Sequence, residues 1–157
     1  MATTVALGIA ASPAAAQEAG APSAAGVVPT VTDNGTTCGD IVDDPTVFEV
    51  SPNQQNVPVE FTPGGTITLT FPTADEINFS ITGPYAARAA IIVGEDSNGD
   101  QFTNQFVYDS AAGFPHGIAS DEALHAPLDQ TTGQNDLLDD WLFCIIPSAY
   151  NGTSQGR

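Results

Sequence analysis

In the strand-like segments between Val47 and Phe71, and again from Ile77 to Ile81, the apolar residues recur every second position, not every third or fourth. Thr66-Ile67-Thr68-Leu69-Thr70-Phe71 places Ile67, Leu69 and Phe71 on one face of a strand, because successive side chains of a strand point to opposite sides. Ile77, Phe79 and Ile81 repeat the alternation before the breaker Gly83-Pro84. Val57, Val59 and Phe61 do the same, and Pro58 assigns that strand to an edge, where a missing N–H is tolerated. Val47, Phe48 and Val50 form a weaker strand. Arg88 to Val93 is a β-branched run that reads as a central strand buried on both faces. Phe102 to Tyr108 is its hairpin partner across Asp96-Ser97-Asn98-Gly99-Asp100, where Asn98 and Gly99 both tolerate positive φ. Trp141 to Ile146 closes the set.

Seven strands spaced by roughly ten residues, with no long helical pattern between them, predict a mainly β chain folded as an antiparallel β-sandwich. Residues 109–140 lack the alternation and read as one long loop with short helical turns. Ser120-Asp121-Glu122-Ala123-Leu124 has the signature of a helix start, with acids at the positive end, and Asn135 to Asp140 reads as a second turn.

The amino-terminal quarter has a different texture. Residues 1–16 are a signal-like segment: a short apolar run ends in Ala14-Ala15-Ala16, an A-x-A cleavage pattern, although no positive charge precedes it. An alanine-rich, low-complexity tail is the other reading. Residues 17–37 are rich in Ala, Gly, Pro, Ser and Thr, a linker composition expected to lie outside the ordered domain. The sandwich domain is assigned to 38–147 and a flexible tail to 148–157.

Charge narrows the class of partner. Nineteen acidic residues face two basic ones, Arg88 and Arg157, for a net charge of −17. Such a surface repels phosphate backbones and anionic headgroups, which argues against nucleic acid. No apolar run after Val27 is long enough to span a bilayer. The acids fit colloidal solubility of an exported protein, or life at high salt, where the screening length falls from about 10 Å at 0.1 M to about 3 Å at 1 M. Cys38 and Cys144, near the two ends of the domain, suggest one disulfide in an oxidising compartment, with two buried free thiols as the alternative.

Three constellations bear on chemistry. Asp96, Asn98 and Asp100 follow the first three ligand positions of a calcium loop, but Gln101 stands where that motif needs Gly and Val107 where it needs Glu. A hairpin turn accounts for the same residues. His116 and His125, with Asp121 and Asp129, offer a histidine–carboxylate metal set without helical ligand spacing. Ser110 or Ser120 with either histidine offers a triad of a kind that any chain of this length contains, and no G-x-S-x-G elbow is present.

The carboxy-terminal half resembles a loosely defined family of secreted bacterial β-proteins. The matching pieces are Ala90-Ile91-Ile92-Val93, Phe106-Val107-Tyr108-Asp109, the Asp-x-x-Leu-His-x-Pro loop of Asp121 to Pro127, and Trp141-Leu142-Phe143-Cys144. The family's Lys-Gly-Gly and Ser-His are replaced here by Gly94-Glu95-Asp96 and Asp139-Asp140. The resemblance implies export, β structure, a Cys38–Cys144 bridge, and a loop-anchoring role for Asp121 and His125, the histidine bonding to backbone. It implies no activity.

The expectation is therefore an exported, non-catalytic protein with a structural or interaction role toward an extracellular protein, a glycan or the cell envelope. A Ca²⁺-dependent binding module, for carbohydrate for example, is the alternative, with Asp96, Asn98 and Asp100 as metal ligands. A secreted hydrolase using residues 109–140 is the third reading. Ca²⁺ is the one cofactor envisaged.

Overall fold

The computed structural model describes residues 17–32, 34–51, 58–61 and 64–148. The signal-like segment, Val57 and the tail after Ser148 lie outside these. Among the described residues nine strands and one short helix follow in order: β1 (Thr30–Thr32), α1 (Cys38–Ile41), β2 (Phe48–Val50), β3 (Val59–Phe61), β4 (Gly65–Thr70), β5 (Glu76–Thr82), β6 (Tyr85–Glu95), β7 (Gln101–Val107), β8 (Ser120–His125) and β9 (Leu137–Pro147).

They form two antiparallel sheets, one ordered β1-β7-β6-β9-β2 and the other β3-β4-β5-β8. The architecture is the expected β-sandwich. β6 is central to the larger sheet, paired with β7 and β9, and β3 is an edge. The inward faces supply the core: Ile67 and Leu69 of β4, Ile77 and Phe79 of β5, Ile92 of β6, Phe106 of β7, Leu124 of β8, and Phe143 and Ile145 of β9. Phe79 and Phe143 meet across the sheets with ring centroids 5.1 Å apart. β6 is buried on its outer face as well, where Ala89 and Ile91 pack with Cys144, Cys38 and Val42 beneath α1. Cys38 and Cys144 are joined by a disulfide, so the free-thiol alternative is excluded.

Three expectations are corrected. The first concerns residues 17–32, read as linker. They belong to the fold as a strap that runs antiparallel beside β8: Leu128 N donates to Glu18 O at 2.9 Å and Ala24 N donates to Glu122 O at 2.8 Å. The strap continues into β1 on the edge of β7 and places Val27 in the core. Its small residues are what let it lie close: a Cβ at Gly20 would stand 2.7 Å from the ring of His125.

The other two corrections fall in the long loop. The helix start at Ser120–Leu124 is strand β8, paired with β5, and the turn of helix at Asn135–Asp140 is in part the beginning of β9. Two residues of β8, Glu122 and Ala123, face the single Asn78 of β5 in a bulge, with Ala123 at φ 58° and its N–H donating to Asn78 Oδ1 at 2.9 Å. The bulge breaks the alternation of period two, which is why no strand is legible there. No helix among the described residues is long and apolar enough to cross a membrane.

Candidate functional site

Two polar clusters stand out, one inside the sandwich wall and one at its end. The inner cluster holds the strap. Asp121 is 4% exposed; its Oδ1 accepts from Ala25 N at 2.9 Å and Glu122 N at 2.8 Å, and its Oδ2 from the Tyr108 hydroxyl at 3.0 Å. Burial first, and then the Asp121 charge, push the Tyr108 hydroxyl far above the ordinary tyrosine range. His125 sits edge-on to Phe106, with Nδ1 2.7 Å from Ala126 O and Nε2 2.8 Å from Ala21 O. Asn104 adds its amide, donating to Ala19 O at 2.7 Å and His125 O at 3.0 Å. Apart from the Tyr108–Asp121 bond, the bonds these side chains make go to backbone, and what they hold is the amino-terminal strap as well as the loop. His116 is exposed in the turn-rich stretch between β7 and β8, apart from this cluster.

The second cluster lies where the β6–β7 turn meets the β8–β9 connection. Asp96 organises the turn: its Oδ1 accepts from Asn98 N at 2.8 Å and Asp100 N at 2.9 Å, and Gly99 supplies the positive φ of 84°. The D-x-N-x-D residues are thus a hairpin turn whose first aspartate caps its own backbone. Asn98 and Asp100 are exposed on the turn. Among the described residues no group of three or more His, Cys, Asp or Glu is placed to hold a metal ion, and this includes the set His116, His125, Asp121 and Asp129.

Asp129 ties the turn to the connection. Its Oδ2 accepts from Ser97 N at 2.9 Å, and its Oδ1 from Thr131 N at 2.6 Å and Thr132 N at 3.1 Å. The Ser97 bonds foremost, helped by those of Thr131 and Thr132, hold its carboxyl down to about 2. Beside these residues opens a hollow of about 460 Å³, walled by Glu95, Asp96, Asp129, Asp136 and Asp139 together with Leu137 and Leu138.

Asp136 is the anomaly of that wall. It is 2% exposed, yet its Oδ1 has no hydrogen-bond partner, and its Oδ2 has the Gln17 amide at a long 3.4 Å. Burial, then the charges of Asp129 and Asp96, push its carboxyl up to about 6. Gly94 makes this seat possible: a Cβ there would lie 2.4 Å from Ala126 Cβ and 2.6 Å from Asp136 Cβ. The same residue marks a register shift between β6 and β9. No motif announces Asp136, which lies forty residues after Asp96 in an acidic run that reads as helix. Asp129 carries a weak signal, since Asp129-Gln130-Thr131-Thr132-Gly133 is turn-forming composition.

The raised carboxyl has a measurable consequence. The folded chain binds the Asp136 proton more tightly than the unfolded chain, where a carboxyl titrates near 3.8. The group's stabilising contribution is therefore full below that value and is lost as pH rises through about 6. Asp136→Asn, which cannot ionise, removes this dependence. The melting temperature of the native protein is expected to fall relative to that of the variant between about pH 4 and pH 7. Parallel melting curves that keep a constant separation would contradict the assignment.

Compared with protein-family models, with curated proteins and with solved structures, the chain matches none.

Proposed function

We propose that this chain is an exported, non-catalytic binding module whose ligand-facing end is the acidic hollow between the β6–β7 turn and the β8–β9 connection. The observation that carries the reading is the buried Asp136 carboxylate in the hollow's wall, with one oxygen unsatisfied and its pKa raised by burial and then by Asp129 and Asp96. An unpaired buried charge is expensive, and a folded domain that keeps one in a concavity is more simply explained by a ligand than by packing. The net charge of −17 adds long-range steering of positively charged partners and repulsion of anionic ones. The Cys38–Cys144 disulfide fits an oxidising, extracytoplasmic setting.

The non-catalytic part of the reading is supported by how the hydrolase candidates are used. Asp121 and His125 spend their polar atoms on the strap backbone, on the backbone of Glu122 and Ala126, and on Tyr108, which leaves neither free as a general base. The purified protein is expected to leave a panel of glycosidic, ester and peptide substrates unchanged. Turnover that vanishes in His116→Ala or His125→Ala, with the fold intact by circular dichroism, would overturn this.

A further inference from the structure

We infer that the hollow receives a single organic cation, an ammonium or guanidinium head on a short alkyl stem, with Asp136 as its counter-charge and Leu137 as the seat for the stem. The inference rests on the binding-module reading and names the ligand class of that same site.

Five carboxylates line the hollow and no basic side chain does, so the wall attracts positive charge and offers it no internal partner. A bare divalent ion is the obvious occupant, and the geometry speaks against it. Such an ion draws its oxygen ligands in to about 2.3–2.6 Å, which requires several carboxylates to converge. No three acidic or histidine groups among the described residues do so. Asp96 Oδ1 already accepts two backbone N–H groups, and Asp129 accepts three across its two oxygens. These two are fixed negative walls. Asp136, in the same wall, is the one whose buried Oδ1 lacks a donor, and its χ2 is a soft torsion about which the carboxylate can turn to meet one.

An alkylammonium or guanidinium ion suits this better than a metal. It brings its own N–H donors, spread over the width of a small molecule, and can bond Asp136 while feeling Asp96 and Asp129 at longer range. The volume, about 460 Å³, is that of a small-ligand site. Leu137 supplies the remaining half of the argument. It is 63% exposed, one of two large apolar side chains so open among the described residues, and it stands in the wall beside the acids. A methylene stem laid on Leu137 would cover it while the charged head remains among carboxylates, the pairing that lysine and arginine stems make elsewhere. Gly94 completes the design by giving up a side chain so that Asp136 can sit against β6.

The cation can come from a free amine or from the side chain of a partner protein, and the test separates them. n-Butylammonium, n-butylguanidinium, the blocked tripeptide acetyl-Ala-Lys-Ala-amide and CaCl₂ are titrated at matched ionic strength, followed by amide chemical shifts. Binding of at least one organic cation is expected with a Kd of about 1 mM, the affinity open to so small a ligand, with shifts gathered at Glu95–Ser97 and Asp129–Asp139. Asp136→Asn should weaken it by about tenfold or more, the loss expected of an unscreened ion pair. Leu137→Ser, which leaves the acids in place, should weaken it by about threefold through lost stem contact. Affinity should also fall on going from pH 7 to pH 5, as Asp136 takes up a proton facing Asp129, Asp96, Glu95, Asp139 and the Gln17 amide. Tripeptide binding as strong as that of the free ions assigns a protein side chain; free ions binding alone assigns a small amine.

Equal affinity in Asp136→Asn, shifts elsewhere on the molecule, or tighter binding of Ca²⁺ would overturn the inference. Should Asp136→Asn fail to fold, the Leu137→Ser and pH arms decide it. Failure of all cations without substrate turnover sinks this inference alone, whereas turnover sinks the binding-module reading.

Discussion

Replacing Cys38 and Cys144 together by alanine is expected to lower the unfolding free energy by about 4–5 kcal/mol. The two cysteines are 106 residues apart, so the bridge closes almost the whole domain into one loop. In the chain-entropy account a loop of about 100 residues restricts the unfolded ensemble by about 4.7 kcal/mol. The folded state loses little in exchange. Cys144 lies on β9, and Cys38 belongs to the small outer cluster with Val42, Ala89 and Ile91, which alanine can still fill in part. Urea titration of the oxidised protein, the reduced protein and the double variant checks it. The reduced protein and the variant should unfold at nearly the same denaturant concentration, well below the oxidised form. A difference under about 1 kcal/mol would show that the unfolded chain is already compact enough for the crosslink to add nothing.

Asp121→Ala should be the most damaging single substitution at a polar position, at about 3–4 kcal/mol, because it removes one acceptor from three donors. The carboxylate joins three parts of the molecule. Ala25 belongs to the strap, Glu122 to β8, and Tyr108 directly follows β7 of the opposite sheet. With the carboxylate gone, the Tyr108 hydroxyl has no acceptor inside the core, and the strap loses its bond at Ala25. Amide exchange across residues 17–27 should then accelerate more than exchange in β6 or β9. Tyr108→Phe takes away one of the three donors and should cost about 1–2 kcal/mol. Its pH dependence tests the same bond. The raised Tyr108 pKa means that its contribution is intact below the ordinary value of 10.0 and is lost as pH rises beyond it. The stability gap between the native protein and Tyr108→Phe should therefore narrow above about pH 10. An unchanged gap would separate Tyr108 from the network.

The elements that were legible in the sequence are those whose stability comes from one buried face. β4 and β5 show their alternation because every second residue meets the opposite sheet. β6 shows a continuous apolar run because α1 and the disulfide cover its other side. Asp96 to Asp100 is legible as a turn because Asn98-Gly99 satisfies a local requirement on φ. β8 was not legible: its bulge at Glu122–Ala123 shifts the side-chain order within six residues, and its acids imitate a helix start. The strap was not legible either. It contributes small residues and backbone hydrogen bonds, and its bonding partners lie about a hundred positions away.

Local pattern by itself thus determined the β class, the central strand and the hairpin. Tertiary structure alone decided that residues 17–32 are inside the fold and that Asp121 and His125 serve as anchors for them. It also decided that Asp96, Asp129 and Asp136, distant in the chain, share one hollow. The physical reason is the range of the forces concerned. Alternation and turn preference act between neighbours along the chain, whereas burial of a carboxylate, and the repulsion that raises its pKa, depend on which residues the closed sheets bring together.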